Sequence, residues 1–441
     1  MWRRYCLRAV IACAAFGAAL AQCAEPTIIV HCGVLLSVPG QAPQERRTLV
    51  IRDARIESVD EGYLDASALG VGAPFELIDL SRQFVLPGLI DLHVHLTSET
   101  EPGEALRVVT RDAADLALAA RYHARETVEA GFTTVLDLGT ARPQHAEALR
   151  ALKSAVAQNL AIGPRILTAG SPISTPGMSR TGRFAPGIDA VVGPDGVCSG
   201  PRDCAREVRE QVAAGADVIN FYSSGSLGDV RMIEQAMTDD EMRAVVQTAH
   251  ALGRKVVADG HTAVAVNAAL RAGADIIDTA PWADDQSFGL MKRQGAFLEP
   301  HLYAFVVSVQ ELHSGSVSVP DSVDSPIVAR LRGVLAKPFA AQFAHERGVQ
   351  LAYGSDTGIV RHGDNAGELL QLVKIGLTPM QAIEVATRNS AAAIGLGGEI
   401  GSIEAGKRAD LIATDRNPLD NIEALRHVTF VMRDGHVLKH Q

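Results

Sequence analysis

The middle of this 441-residue chain repeats one pattern eight times: a short apolar run, a small-residue loop and a helical stretch. Such alternation predicts parallel strands that are joined by helices. Eight repeats over about 300 residues favour an α/β fold of the (β/α)8 TIM-barrel type. An open doubly wound sheet is the alternative, although no G-x-G-x-x-G or Walker A pattern supports it. The candidate strands are residues 84–96, 133–139, 165–170, 217–222, 255–261, 275–280, 296–302 and 349–356.

The two ends of the chain have a different composition from the middle. Residues 22–84 and 396–441 contain short β-branched runs that are separated by turns, and "RDG" near the carboxyl terminus is a hairpin signal. We therefore predict that both ends combine into one small composite β-sandwich domain. The barrel then spans residues 85–395.

The amino terminus resembles an export signal. Three arginines precede the apolar run "AVIACAAFGAALA", and an A-x-A cleavage pattern ends at Ala21. The apolar run is too short for a comfortable membrane span. We predict a signal peptide at residues 1–21 and a secreted protein, with the periplasm as the expected compartment.

Two cysteines stand six residues apart in "GVCSGPRDCAREV". In an oxidising compartment Cys198 and Cys204 could close a small disulfide loop, and two unrelated thiols are the alternative. Their spacing differs from that of C-x-x-C zinc pairs, so no metal is assigned to them.

The net charge of −10 and the pI of about 5.8 argue against a nucleic-acid partner, because such proteins carry clustered lysine and arginine. The expected partner is a small-molecule substrate. The sequence leaves open whether the chain forms a homo-oligomer.

Potential metal ligands stand at the carboxyl ends of three predicted strands. His93 and His95 end the first strand, and residues two apart on a strand share a face. His261 ends the fifth strand and Asp356 ends the eighth. Active sites of such barrels lie at this end, so these side chains predict a divalent cation site that leaves room for water. A pair of satisfied structural histidines is the alternative.

Long motifs of the chain resemble the amidohydrolase superfamily, in particular its imidazolonepropionase-like and Xaa-Pro dipeptidase (prolidase)-like members. The motifs are "FVLPGLIDLHVHL", "GSDTG", "HGDNAGELLQLVKIGLTPMQAIEVATRNSAAAIGL" and "GEIGSIEAGKRADLIATDRNPL". The resemblance implies a metal-dependent hydrolase that cleaves an amide bond of a small peptide-like, N-acyl or cyclic substrate. It also implies that Asp356 both contacts the metal and accepts the proton of the attacking water.

Two positions depart from the pattern of the relatives that bind two metals. Asn220 in "INFY" stands where those relatives have a lysine that becomes carbamylated, and Thr279 in "IDTA" stands where they have a histidine. An asparagine amide cannot form a bridging carbamate. We therefore predict one divalent metal, with zinc as the expected ion, on His93, His95, His261 and Asp356.

Three further residues are candidates for substrate binding. The resemblance implies that Tyr222 donates a hydrogen bond to the substrate carbonyl or carboxylate and that His362 contacts substrate. His301, at the end of the seventh strand, could replace the missing sixth-strand histidine, with an ordinary strand-end residue as the alternative. A lactonase or deaminase with the same metal site, and a non-catalytic binding protein on the same fold, remain alternative functions.

Overall fold

The computed structural model describes residues 26–100, 107, 110–140, 142–176, 178, 195–225, 233–314, 333 and 340–441. The predicted signal peptide at residues 1–21 lies outside these residues. Within them the strands are β1 (Thr27–Leu35), β2 (Gln44–Arg52), β3 (Arg55–Glu61), β4 (Phe75–Pro87), β5 (Leu89–Val94), β6 (Phe132–Asp137), β7 (Arg165–Thr168), β8 (Val218–Tyr222), β9 (Lys255–Thr262), β10 (Ile276–Trp282), β11 (Phe297–Glu299), β12 (Gln350–Leu351), β13 (Leu411–Thr414), β14 (Val428–Arg433) and β15 (His436–His440).

Helices connect the central strands. In the described residues they are α1 (Ala113–Glu129), α2 (Pro143–Ala157), α3 (Pro201–Ala213), α4 (Asp239–Ala251), α5 (Ala263–Ala272), α6 (Asp285–Gln294), α7 (Leu302–Ser314), α8 (Ala340–Glu346), α9 (Gly367–Lys374), α10 (Pro379–Glu384) and α11 (Ser390–Ala393), with a π-helical turn at Val385–Asn389 and a 3₁₀ turn at Ile422–Arg426. Thr238 and Thr378 cap α4 and α10 through capping boxes.

The two chain ends form a single seven-stranded sheet in the order β15-β14-β13-β4-β1-β2-β3. The junction between the ends is the antiparallel pairing of β4 with β13, in which Leu411 faces Pro87 and Thr414 faces Phe84. Side chains from both ends share one core: Val30, Cys32, Leu35, Leu49, Ile51, Ile56, Ile78, Leu80, Val85, Ile403, Ala409, Leu411, Ala413, Phe430 and Met432. The predicted composite of both ends is therefore present as a sheet.

The central strands lie in two parallel sheets, β5-β6-β7 and β8-β9-β10-β11-β12, and follow each other in chain order. Hydrogen bonds join these sheets at both edges. Between β7 and β8, the Asp217 amide donates to Thr168 and the Ile173 amide donates to Asn220. Between β12 and β5, the Leu92 amide donates to Tyr353 at 2.8 Å. The carboxyl ends of all these strands therefore point to one side of the molecule.

Cys198 and Cys204 form a disulfide, with 2.06 Å between their sulfur atoms. This confirms the predicted bridge, which closes the loop just before α3. In the described part of the chain, no helix combines the length and apolar character that a membrane span requires.

Candidate metal centre

The first-strand histidines stand at the carboxyl end of β5. His93 lies within this strand and His95 follows it directly, so the alternation of side chains along the strand puts both rings on one face. The Leu96 amide beyond them donates to Asp137 of β6 at 2.7 Å, which holds the end of β5 against its neighbour. Local strand geometry therefore presents the two imidazoles as a pair.

Asp356 meets this pair from the segment after β12. The Nε2 atoms of His93 and His95 lie 3.1 Å apart, and each lies 3.4 Å from Oδ1 of Asp356. All three residues are among the four predicted metal ligands, and the structure brings them together although they are separated by about 260 positions in sequence.

The donor set fits a divalent cation. Two imidazole nitrogens and one carboxylate oxygen converge within 4.8 Å, which is the combination that zinc accepts with a further position open to water. The Nδ1 atom of His95 is buried and has no hydrogen-bond partner among the described residues. Its Nε2 atom, in contrast, faces the other two ligands.

The charge state of Asp356 suits its predicted role. Burial alone would raise the pKa of its carboxyl group, but His93 and a hydrogen bond from His95 lower that pKa below the usual range. Burial lowers the pKa of His93, and the neighbouring Asp278 and Asp356 raise it well above the usual value. The Asp356 carboxylate is therefore ionised at neutral pH.

Three residues at the site adopt left-handed backbone conformations. The φ angles are +73° for Thr279, +29° for His301 and +54° for Asp356. This region is unfavourable for residues other than glycine, most of all for a β-branched threonine. Such strain is concentrated at functional sites, where the surrounding structure enforces it.

His261 lies one residue before the end of β9, close to the predicted strand end, but outside the ligand clusters that the described residues form. Its Nδ1 atom lies 3.2 Å from the Ser224 hydroxyl and 3.6 Å from a carboxylate oxygen of Asp259. The ring is buried. The assignment of His261 as the fourth ligand stays a prediction.

The two altered positions lie on different strands of one sheet, Asn220 in β8 and Thr279 in β10, with β9 between them. Asn220 in β8 is 3% exposed, its amide donates to Leu138 at 3.3 Å, and its Oδ1 has no hydrogen-bond partner among the described residues. Tyr222 ends β8 and is half-buried. Asn220 therefore presents a neutral, buried amide at the position of the predicted missing bridge.

His301 fills space beside Thr279. The Thr279 hydroxyl lies 2.7 Å from Nε2 of His301, and Nδ1 of the same ring lies 3.7 Å from Oδ2 of Asp356. The ring is 5% exposed. The structure thus brings the imidazole of His301, which follows β11, next to Thr279, the predicted altered position.

His362 lies apart from this cluster, with Glu99 and His123. Its ring stacks on His123 with centroids 4.2 Å apart, and its Nε2 donates to the Ser98 carbonyl at 3.0 Å. Burial and the neighbouring His123 lower the pKa of His362 to about 3, so the ring is neutral. Its role in substrate binding stays a prediction.

Sequence reasoning missed two buried carboxylates, Asp278 of β10 and Glu299 of β11, which are both fully buried. Asp278 lies 3.1 Å from Nδ1 of His93, and Glu299 lies 3.7 Å from the same atom. The available signal was an acidic residue within each predicted apolar strand, "DIIDTA" and "AFLEPHL". Charged residues are almost never fully buried without a partner or a function.

Glu368 of α9 is another buried carboxylate behind the site. Its Oε2 accepts a hydrogen bond from the Tyr303 amide at 2.6 Å, while Oε1 has no partner among the described residues. Burial raises the pKa of Glu368 from the ordinary 4.5 to about 8, although the Tyr303 and Leu302 amides oppose this rise.

The raised pKa of Glu368 predicts that the free energy of unfolding depends on pH. The Glu368→Gln variant should lack this dependence. Between pH 4.5 and about pH 8 the carboxyl group of Glu368 is protonated in the folded protein but ionised in the unfolded chain. The free energy of unfolding therefore falls as pH rises across this range, by at most about 1.4 kcal/mol per pH unit. Urea unfolding of wild type and variant at about pH 5 and about pH 8 measures the difference. Wild type should lose stability relative to Glu368→Gln at the higher pH. An equal change of unfolding free energy in both proteins would contradict the prediction.

Comparisons with known proteins cover most of the chain. The amidohydrolase family matches residues 84–439. The chain is 26% identical to ochratoxinase from Aspergillus niger over 93% of this chain and 86% of that protein. It is 26% identical to adenine deaminase from Paracoccus denitrificans over 78% of this chain and 48% of that protein.

A solved structure of a Xaa-Pro dipeptidase with methionine bound in its active site superimposes with a TM-score of 0.81. It is 29% identical and covers 93% of this chain and 99% of its own. The family match spans most of the chain and includes all the clustered ligands. The chain therefore belongs to the amidohydrolase family and is a hydrolase that acts on carbon–nitrogen bonds.

Proposed function

We propose that this protein is a mononuclear metal-dependent amidohydrolase that cleaves the amide bond of a small peptide-like, N-acyl or cyclic amide substrate. The observation that carries the proposal is the convergence of His93, His95 and Asp356 at the carboxyl ends of parallel strands. The likeness to a Xaa-Pro dipeptidase and to ochratoxinase favours peptide-like and N-acyl substrates.

The fold proposed for this function is a closed TIM-type barrel at residues 85–395 with a composite β-sandwich from residues 22–84 and 396–441. The hydrogen bonds at both edges of the two parallel sheets support closure. Closure matters to function because it would bring the strand ends that carry His93, His261 and Asp356 around one central mouth.

In this proposal His93, His95, Asp356 and His261 hold one zinc ion. When bound, that ion would supply Lewis-acid activation of water and of the substrate carbonyl. The Asp356 carboxylate, which is ionised and buried, accepts the proton of the attacking water and then gives it to the leaving nitrogen. Tyr222 donates a hydrogen bond to the carbonyl oxygen or to a substrate carboxylate, and His362 and His301 contact substrate.

One metal per chain is the expected stoichiometry. Asn220 offers only a neutral amide, and Thr279 offers a hydroxyl in place of an imidazole, so the second cation lacks two ligands of the two-metal relatives. Elemental analysis of the purified, active protein should give about one zinc per chain. The Asn220→Lys variant should give the same ratio, because Thr279 still provides no imidazole. A ratio near two in active wild-type protein would contradict this proposal.

The reaction itself is tested by a hydrolysis panel. It should contain Xaa-Pro and N-acyl amino acids, lactones and aminated heterocycles, each with zinc-loaded and chelated protein. Metal-dependent cleavage of an amide supports the proposal. The relationship to adenine deaminase keeps deamination as the second candidate, which release of ammonia from a heterocycle would favour. If the protein cleaved only the lactones of the panel, the proposed amide hydrolysis would be wrong.

Export is proposed on separate grounds. The signal-like residues 1–21 indicate secretion to the periplasm, and a disulfide between Cys198 and Cys204 suits an oxidising compartment. Fractionation of cells that produce the full chain measures its location.

A further inference from the structure

Asp278 is fully buried and contacts two histidines of the site with one oxygen atom. Its Oδ1 lies 3.1 Å from Nδ1 of His93 and 3.0 Å from Nε2 of His301. An ionised carboxylate can only accept hydrogen bonds. Two imidazole nitrogens lie within hydrogen-bond distance of this one buried oxygen, and both rings satisfy it by donating to it. Both facing ring nitrogens are therefore donors.

This contact decides which nitrogen of His93 is free. With the proton on Nδ1 directed at Asp278, the form of the ring that binds a metal keeps its lone pair on Nε2. That Nε2 is the atom that lies 3.1 Å from Nε2 of His95 and 3.4 Å from Oδ1 of Asp356. A carboxylate behind a metal-binding histidine fixes the tautomer and ring orientation and makes the ligand more basic.

The same carboxylate also orients the ring next to the predicted general base. The Nε2 atom of His301 lies 3.0 Å from Oδ1 of Asp278 and 2.7 Å from the Thr279 hydroxyl. This leaves Nδ1 of His301 directed at Oδ2 of Asp356, 3.7 Å away. One buried side chain thus sets the direction of two imidazoles that face opposite oxygens of Asp356.

We propose that Asp278 is a positioning residue that holds His93 in its metal-binding tautomer and anchors His301 beside Asp356. The proposal rests on the proposed metal-dependent function. It assigns a role through His93 and His301 to a β10 residue that is not one of the four proposed zinc ligands. Its effect therefore appears first in metal affinity.

Glu299 provides a matched control at the same depth. It is also fully buried beside His93, but its nearest oxygen lies 3.7 Å from Nδ1, and neither oxygen has a hydrogen-bond partner among the described residues. Glu299→Gln therefore changes a buried carboxyl group beside His93 without removing a hydrogen bond to the ring, whereas Asp278→Asn changes the group that accepts both hydrogen bonds.

The zinc dissociation constants of wild type, Asp278→Asn and Glu299→Gln should be measured by competition with a coloured chelator. We expect Asp278→Asn to weaken zinc binding by about 10- to 100-fold. Glu299→Gln should change it much less. Equal effects of both variants would show that any change of a buried carboxyl group beside His93 weakens zinc binding, and would overturn the proposal. Wild-type affinity in Asp278→Asn would overturn it too.

A second measurement does not depend on the folding of Asp278→Asn. Nitrogen-15 NMR of histidine-labelled wild type, with His93 assigned by loss of its signal in His93→Gln, reports which ring nitrogen carries the proton. We expect Nδ1–H, and a proton on Nε2 alone would overturn the proposal. If wild type bound no zinc, the proposed function would fail together with this role. If zinc bound tightly to wild type and Asp278→Asn alike, only the role of Asp278 would fail.

Discussion

Replacement of Asp356 by asparagine should lower kcat by roughly 10²- to 10⁴-fold on whichever amide the panel identifies. Asparagine keeps the size of the side chain but cannot accept the proton of the attacking water. It also removes the negative charge that faces the Nε2 atoms of His93 and His95, both 3.4 Å from Oδ1. Steady-state kinetics together with zinc content separates loss of the proton acceptor from loss of metal.

The matched control is Asp285→Asn, an exposed carboxylate that begins α6 and pairs with Arg347. It should keep wild-type kcat. Circular dichroism and thermal unfolding should show that Asp356→Asn remains folded, because the substitution nearly conserves volume. Near-full activity in Asp356→Asn would contradict the proposed mechanism, whichever substrate is used.

The Arg165→Ala variant should lose about 3–5 kcal/mol of unfolding free energy, because it leaves the buried carboxylate of Asp410 without its ion-pair partner. Arg165 begins β7, and its guanidinium donates to Asp410 at 2.6 and 3.3 Å and to Asp434 at 2.5 Å. Its Nη1 also donates to the Thr134 hydroxyl at 2.8 Å. Asp410 is only 5% exposed. This arginine therefore connects the parallel strands to the sheet of the chain ends.

Arg243→Ala is the control for this experiment. Arg243 pairs with Asp240 on the surface of α4, where both side chains are largely exposed. Removal of such a pair should cost at most about 1 kcal/mol. Urea unfolding curves of both variants measure the two losses. Equal small losses would contradict the view that Arg165 connects the two parts of the fold.

Much of the fold was predictable because its signals are local. The predicted strands at 217–222 and 255–261 agree with β8 and β9 within one residue, since apolar runs between turn signals define them. The capping boxes at Thr238 and Thr378 depend only on residues three apart. The shortest strands, β11 and β12, were predicted too long, because Pro300 and Gly354 follow them closely and limit ladder pairing.

The candidate site was predictable in part for the same reason. His93, His95 and Asp356 stand at strand ends that the sequence locates, and a parallel sheet brings such ends to one side. The seven-stranded sheet was foreseen as a composite of both chain ends. Its strand order was not, because β-pairing between distant segments has no local signal.

The sequence alone determined the kinds of ligand, the altered positions Asn220 and Thr279, and the order of strands and helices. Only the tertiary structure showed that Asp278 and His301 meet behind His93, because three different strands contribute to this contact. Amino-acid composition does not show which side chains become buried. The orientation of an imidazole ring decides which of its nitrogens faces a carboxylate. Packing across strands sets that orientation, and spacing along the chain does not.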